Sequence, residues 1–137
     1  MTVFVDSSVW FAAVFAKDAH HELATRILDE AHSLVTTDHI VVETWLLLKN
    51  RFNQGAAEGF CQRVMAGWCR IEIGTYEDLQ AAESIRGAFR DQGFSLVDRT
   101  SFVIMERLGI TRVASFDDDF LIYRYGANRD RAFEVLR

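Results

Sequence analysis

Residues 3–12 of the chain have the sequence VFVDSSVWFA, in which an acid and two serines separate two apolar runs. A short unbroken apolar run such as Val3–Val5 is typical of a strand buried on both faces of a parallel sheet. The serines Ser7 and Ser8 can cap a helix that continues through the second run. The segment therefore predicts a strand followed directly by a helix, with Asp6 at the junction.

The same alternation continues along the rest of the chain. Short apolar runs predict further strands at 34–36, 71–73, 113–115 and 133–136, and helical spacing predicts helices near 18–31, 38–48, 60–68, 75–89 and 98–108. Strands that alternate with helices indicate βαβ units. We therefore predict one α/β domain across residues 1–137, with a central parallel sheet of four to five strands flanked by helices.

Several residues have the chemistry of helix ends. Asp18 is a candidate N-cap, and Thr75 with Asp78 has the spacing of a capping box that opens a helix whose core face includes Leu79. Gly109 is expected to end the helix from 98 to 108 in the left-handed conformation. These signals set the predicted boundaries.

The composition excludes several classes of protein. Half of the 137 residues are hydrophobic and 26% are charged, which is typical of a globular protein and not of a disordered or fibrous one. No apolar run approaches the ~20 residues that cross a bilayer, and residues 1–6 have no signal-peptide pattern. The cysteines Cys61 and Cys69 are too few for a disulfide framework. We expect a cytoplasmic protein with reduced thiols and no membrane partner.

The charge distribution is uneven. A net charge of −5 argues against binding to a phosphate backbone. Residues 48–70, however, contain Lys49, Arg51, Arg63 and Arg70 against the single acid Glu58. These cations form either a solvated face or a surface for phosphate.

Acidic residues follow two of the predicted strands. Asp6 ends the first strand, and the run 117–119 follows the strand at 113–115. Glu43 lies in a helix that is apolar on nearly every side, and Asp98 opens another helix. Each acid has an ordinary explanation as a turn residue, an N-cap, an exposed side chain or the partner of an arginine. Ligands of open parallel sheets bind at the carboxyl ends of the strands, so these acids together predict an anionic site there.

Converging carboxylates suit a hard divalent cation. Mg²⁺ and Mn²⁺ prefer oxygen ligands, whereas carboxylates without a cation repel one another. Such an ion supports hydrolysis of phosphodiester bonds. The four histidines match no ligand motif, which argues against zinc.

The motifs around these acids resemble those of the PIN-domain nucleases, and most of all the VapC-type toxins of bacterial toxin–antitoxin pairs. The matching segments are VFVDSS at 3–8, Val42-Glu43, SLVD at 95–98 and SFDDDF at 115–120. The resemblance implies the catalytic acids Asp6, Glu43, Asp98 and Asp117. It implies Asp6, Asp98 and Asp117 as metal ligands, with Asp119 as a second candidate and Ser8 and Ser101 as supporting hydroxyls.

The resemblance also implies a function. Such a protein cleaves RNA, commonly tRNA or ribosomal RNA, with Mg²⁺ or alternatively Mn²⁺ as its cofactor. An antitoxin covers its acidic groove, and the toxin forms a homodimer. RNA would be held by arginines around the site, for which the candidates are Arg51, Arg63, Arg70 and Arg99. Arg99 stands where the family more often has a small residue.

Three other functions fit parts of the pattern. A phosphoacceptor receiver domain needs paired acids after the first strand and a late lysine, and the only lysines, Lys17 and Lys49, lie in predicted helices. That alternative is excluded. A PIN-fold nuclease that processes RNA outside a toxin system and a catalytically silent PIN-fold binding module both remain open.

Overall fold

The structure, a computed structural model, describes all of residues 1–137. Its strands are β1 (Thr2–Val5), β2 (Ser33–Thr37), β3 (Arg70–Glu72), β4 (Arg112–Ala114) and β5 (Glu134–Leu136). Its α-helices are α1 (Ser7–Val14), α2 (His21–Glu30), α3 (Asp38–Arg51), α4 (Gln54–Arg63), α5 (Tyr76–Ala88), α6 (Leu96–Leu108) and α7 (Asp119–Ile122), and a π-helical turn (Val64–Trp68) follows α4. No helix combines the length and the hydropathy that crossing a membrane requires.

The five strands form one sheet in the order β3-β2-β1-β4-β5, and every pair is parallel. The apolar run Val3–Val5 is fully buried at the centre of this sheet. The predicted central parallel sheet of four to five strands is therefore confirmed. Strand boundaries differ from the predicted ones by about one residue.

The strand order fixes where the helices lie. The chain moves in one direction across the sheet from β1 to β3, and the next connection passes back over β2 and β1 to reach β4. Since such crossovers are right-handed, α1–α4 cover one face and α5–α6 cover the other. The order reverses between β1 and β4, and a crevice at the carboxyl ends of the strands is expected at that switch point.

The core is a single cluster that contains Trp10, and the other two tryptophans are partly buried against it. Trp10 is fully buried, and its Nε1 donates a hydrogen bond to Thr36 Oγ1 at 3.3 Å. Trp68 packs edge-on against Trp10, and Trp45 lies half-buried at the margin of the cluster. On the other face, Phe102 stacks on Tyr123 with ring centroids 4.1 Å apart.

The capping patterns in the sequence predicted some helix ends correctly. The capping box of Thr75 and Asp78 is present, and Gly109 ends α6 with a φ of 69°. Asp18 is not an N-cap, because α2 begins at His21 and the Asp18 carboxylate instead accepts a hydrogen bond from the His20 N–H. The helix predicted at 60–68 is the end of α4 followed by the π-helical turn, inside which Gly67 has a φ of 100°.

Leu79 does not face the core as predicted. It is exposed on α5, whereas its neighbour Asp78 is buried. The Asp78 carboxylate accepts two hydrogen bonds from Arg107 of α6. The apolar periodicity predicted that Leu79 faces inward. The ion pair of Asp78 with Arg107, between α5 and α6, takes that inward position instead.

Candidate active site

Asp6 follows β1 and is buried at the carboxyl end of the sheet. Its Oδ2 accepts hydrogen bonds from Ser8 Oγ at 3.0 Å and from Ser115 Oγ at 2.8 Å. Ser115 directly follows β4, so one of these donors comes from the neighbouring strand. The two hydroxyls fix the orientation of the Asp6 carboxylate.

The same hydroxyls hold the loop that follows β4. Ser8 Oγ accepts a hydrogen bond from the Phe116 N–H at 2.9 Å, and Ser115 Oγ accepts one from the Asp117 N–H at 3.0 Å. The position of Asp117 is thus tied to that of Asp6. Sequence reasoning gave Ser115 no role, although it is the first residue of the SFDDDF segment.

Asp98 enters the site from α6. Ser95 caps this helix, accepting a hydrogen bond from the Asp98 N–H at 3.0 Å, and the Asp98 side chain is buried in the first turn. One carboxylate oxygen from each of Asp98, Asp117 and Asp119 lies within 4.8 Å of the others. The structure thus groups Asp119, the second candidate of the motif, with Asp98 and Asp117.

Two further acids border this group differently. Glu43 on α3 is half-buried, makes no ion pair and lies close enough to Asp6 for its charge to raise the Asp6 pKa. Asp118 instead accepts a hydrogen bond from Arg137 Nη1 at 2.8 Å. Asp117 and Asp119 therefore belong to the acidic group, whereas Asp118 between them pairs with Arg137.

Burial and mutual repulsion disfavour the ionised forms of these carboxyls. Burial raises the pKa of Asp98 to about 8, together with a hydrogen bond with Asp119 and the negative charges of Asp6, Asp117 and Asp119. Burial also raises the pKa of Asp6, since it outweighs the hydrogen bonds from Ser115 and Ser8. Without a cation, the fold therefore favours bound protons on these two carboxyls, because ionising all of the neighbouring acids together is unfavourable.

The donor set fits a hard divalent cation. It consists of carboxylate oxygens, with no histidine or cysteine among the grouped ligands. Oxygen ligands of this kind suit Mg²⁺ and Mn²⁺ better than zinc, which prefers nitrogen and sulfur. A cation would also offset the repulsion that raises the pKa of Asp98.

Two candidates on α6 make their hydrogen bonds outside the acidic group. Ser101 Oγ donates to the Val97 carbonyl at 2.8 Å within the helix, so its hydroxyl is used locally. Arg99 is largely buried, and its Nη1 donates to the Ala82 carbonyl at 3.2 Å and to Glu83 Oε2 at 3.3 Å. The structure therefore places Arg99 as a link between α5 and α6 and not at the surface of the acidic site.

The other three candidate arginines differ in their surroundings. Arg70 pairs with Glu72 at 2.9 Å and shares a cleft with Thr2 and Arg112, towards the amino ends of the strands and away from the acids. Arg51 and Arg63 are exposed and have no carboxylate partner. The Arg63 guanidinium lies 3.5 Å from the centre of the Trp68 ring.

Comparison with known proteins identifies the class of the molecule. The family model described as PIN domain matches residues 3–126. The chain therefore belongs to the PIN-domain family, whose members include nucleases that act on phosphodiester bonds. The predicted family is confirmed.

Relatives narrow the class further. The chain is 34% identical over 119 residues to the 23S rRNA-specific endonuclease VapC20 of Mycobacterium tuberculosis, an alignment that covers 86% of this chain and 91% of the relative. It is 27% identical over 133 residues to a VapC ribonuclease of Archaeoglobus fulgidus, with coverages of 92% and 83%. The crystal structure of M. tuberculosis VapC20, described as a sarcin-ricin loop cleaving toxin, superposes with a TM-score of 0.83 at 32% identity and covers 87% of this chain and 92% of that one. This chain is thus a PIN-domain nuclease of the VapC type.

Proposed function

We propose that the protein is the toxin of a toxin–antitoxin pair, an endoribonuclease that cleaves ribosomal RNA with Mg²⁺, or alternatively Mn²⁺, as its cofactor. The observation that carries this proposal is the convergence of acids from separate parts of the chain on one edge of the sheet. The likeness to an endonuclease specific for 23S rRNA favours ribosomal RNA over tRNA. The alignment covers 91% of VapC20, and β5 near the end of the chain pairs with β4, which supports a PIN domain that spans residues 1–137.

The acids have distinct roles in this proposal. Asp6, Asp98, Asp117 and Asp119 would hold the metal ion, and the hydroxyls of Ser8 and Ser115 orient the Asp6 carboxylate. When bound, the ion supplies a Lewis acid that activates water and offsets the charge that develops on the phosphate. Glu43 is half-buried beside Asp6 without an ion pair, and its carboxylate accepts the proton that the attacking water loses.

Exposed cations would bind the RNA backbone outside the acidic site. Arg51 and Arg63 are exposed without carboxylate partners, so their guanidinium groups are available to phosphate. Arg70 and Arg99 are already paired with Glu72 and Glu83. We therefore assign the backbone contact to Arg51 and Arg63.

The proposal includes two protein partners. An antitoxin segment that presents an arginine or lysine would neutralise the acidic site in place of a metal ion. A second copy of the chain would form a homodimer, which the mass of the purified protein in light scattering would reveal. Both partners and the RNA substrate are expected in the cytoplasm, in keeping with two free cysteines.

Sequencing of RNA 5′ ends after brief induction in a bacterial cell tests the proposed activity. The parent protein should generate new 5′ ends at one or a few positions of 23S ribosomal RNA. Asp6→Asn, which keeps the shape of the side chain, should reduce these ends at least 100-fold because the metal ligand loses its charge. New ends only in tRNA would refute the choice of substrate. Equal cleavage by Asp6→Asn, or no cleavage by the parent, would refute the proposed nuclease.

A further inference from the structure

A groove of about 430 Å³ lies beside the acidic site, between the first half of α3 and the first turn of α6. It is lined by Asp38, His39, Val42, Glu43, Leu46 and Val97. Glu43 also belongs to the acidic site, and Val97 immediately precedes Asp98. The groove is therefore continuous with the place where a scissile phosphate would lie.

The floor of the groove is apolar and unpartnered. Val42 and Leu46 are one helical turn apart on α3 and are 60% and 48% exposed. A surface helix normally turns such residues towards the core. Here they form, with Val97, an open apolar surface next to the acids.

His39 is held rigidly at the edge of this surface. The backbone of Gly74 packs so closely on the imidazole that a Cβ at position 74 would overlap it. Asp38 Oδ1 accepts a hydrogen bond from the Gly74 N–H at 2.9 Å and lies 3.2 Å from His39 Nδ1. The His39 side chain remains 29% exposed, so the ring offers a fixed aromatic surface to a ligand.

The charges of the groove select the kind of ligand. The ionisable side chains that line it are the carboxylates of Asp38 and Glu43 and the imidazole of His39, with no lysine or arginine. Two carboxylates repel a phosphate group, but they accept hydrogen bonds from N–H donors. A planar, uncharged group with an apolar face and N–H donors at its edge satisfies every surface of the groove.

We propose that this groove binds an unpaired nucleobase of the RNA substrate, next to the scissile phosphate, with the base against His39 and Leu46 and its N–H donors towards Asp38. Unpaired bases in protein–RNA complexes are commonly stacked on aromatic side chains, histidine included, and hydrogen-bonded at their edges. The inference rests on the proposed ribonuclease function and adds a determinant of sequence preference to it. Bases that carry an amino group are preferred over uracil at that position.

Cleavage of a random-sequence RNA pool, followed by sequencing of the product ends, measures this preference directly. The parent should favour amino-bearing bases at one position beside the cut. Asp38→Asn keeps an oxygen for the Gly74 N–H and replaces the other oxygen with a donor, so the preference at that position should shift towards bases that present acceptors. His39→Ala and Leu46→Ser should weaken the preference and lower kcat/KM about tenfold, mainly through KM. Met65→Ser is the matched control, because Met65 is 69% exposed in the π-helical turn, away from the groove.

The outcomes separate this inference from the proposed function. If the parent cuts RNA but all three groove variants keep its base preference and kcat/KM, the base site is refuted and the nuclease stands. If Leu46→Ser changes only the mass of the protein in light scattering, the groove joins copies of the chain and the base site is likewise refuted. If the parent cuts no RNA in the pool, the proposed function fails first and the inference falls with it.

Discussion

The Asp6 carboxylate is controlled by two opposing effects. Burial favours its neutral form, whereas the hydroxyls of Ser8 and Ser115 stabilise the ionised form by donating to Oδ2. A buried carboxylate without such donors would cost several kcal/mol to ionise. The location of Asp6 was predictable, because ligands of parallel sheets bind at the carboxyl ends of the strands. The role of Ser115 was not predictable. Its importance depends on the pairing of β1 with β4, which brings Ser115 next to Asp6 although the two residues are more than 100 positions apart in the sequence.

Removal of the Ser115 hydroxyl tests this control of Asp6. Ser115→Ala should lower the rate of RNA cleavage about 10- to 100-fold, because Asp6 and the Asp117 N–H lose a shared partner and the acids lose their alignment. The folded structure, measured by circular dichroism, should remain. Ser84→Ala is the matched control, since that hydroxyl bonds only to a carbonyl within α5. An undiminished rate in Ser115→Ala would contradict this role.

The raised pKa of Asp98, about 8, predicts the pH dependence of stability without metal. The unfolded chain ionises this carboxyl near pH 4, whereas the folded chain keeps it protonated up to about pH 8. Unfolding therefore releases a proton in this window, and the contribution of Asp98 to stability falls as the pH rises from about 4 through 8. Asp98→Asn, which mimics the protonated form, should melt about 5 °C higher than the parent at pH 8 in EDTA, and at the same temperature at pH 4. A lower melting temperature of the variant at pH 8 would contradict this electrostatic account.

At the scale of the elements, two arginines of α6 connect this helix to α5 through hydrogen bonds and ion pairs. Arg107 donates to both carboxylate oxygens of Asp78 at 3.0 and 2.9 Å and to Glu72 at 3.1 Å. Burial by itself would raise the pKa of Asp78, but the hydrogen bonds with Arg107 and Thr75 and the positive charge of Arg107 together outweigh it and lower that pKa. Arg99 makes the second link, through Ala82 and Glu83. Together the two links orient the helix that supplies Asp98.

Loss of the Arg107 link should destabilise the fold more than loss of a surface pair. Arg107→Ala leaves the buried Asp78 without its cation, so we expect the free energy of unfolding to fall by about 3 kcal/mol in a urea titration. Arg112→Ala breaks the exposed pair with Glu134 and should cost less than about 1 kcal/mol. Equal losses in the two variants would contradict the assignment of Asp78 and Arg107 as the main link.

These two arginines also mark the limit of prediction from sequence. Caps such as Thr75 and Gly109 act within a few residues, so their patterns are visible in the sequence. The inward turn of Asp78, the exposure of Leu79 and the burial of Arg99 all depend on how α5 meets α6. The charge of Arg99 suggested a contact with phosphate, because the sequence does not show that Glu83 is its neighbour in space.

At the scale of the whole molecule, the topology of the sheet brings the acids together. The strand order reverses at β1, so the carboxyl ends of β1 and β4 form a switch point of the sheet, and Asp98 in the first turn of α6 joins the acids there. The general location of the site was therefore predictable from the order of strands and helices. The choice of Asp119 over Asp118 and the apolar groove along α3 required the packed structure.

Calorimetric titration of the metal-free protein with Mn²⁺ tests the central claim, that the gathered acids form a site for a divalent cation. The parent should bind Mn²⁺ saturably, and Asp98→Asn and Asp117→Asn should each weaken the affinity at least tenfold because each removes a charged oxygen ligand. Asp118→Asn, whose carboxylate pairs with Arg137, should bind as the parent does. Absence of Mn²⁺ binding by the parent, or equal affinity in all three variants, would contradict the account.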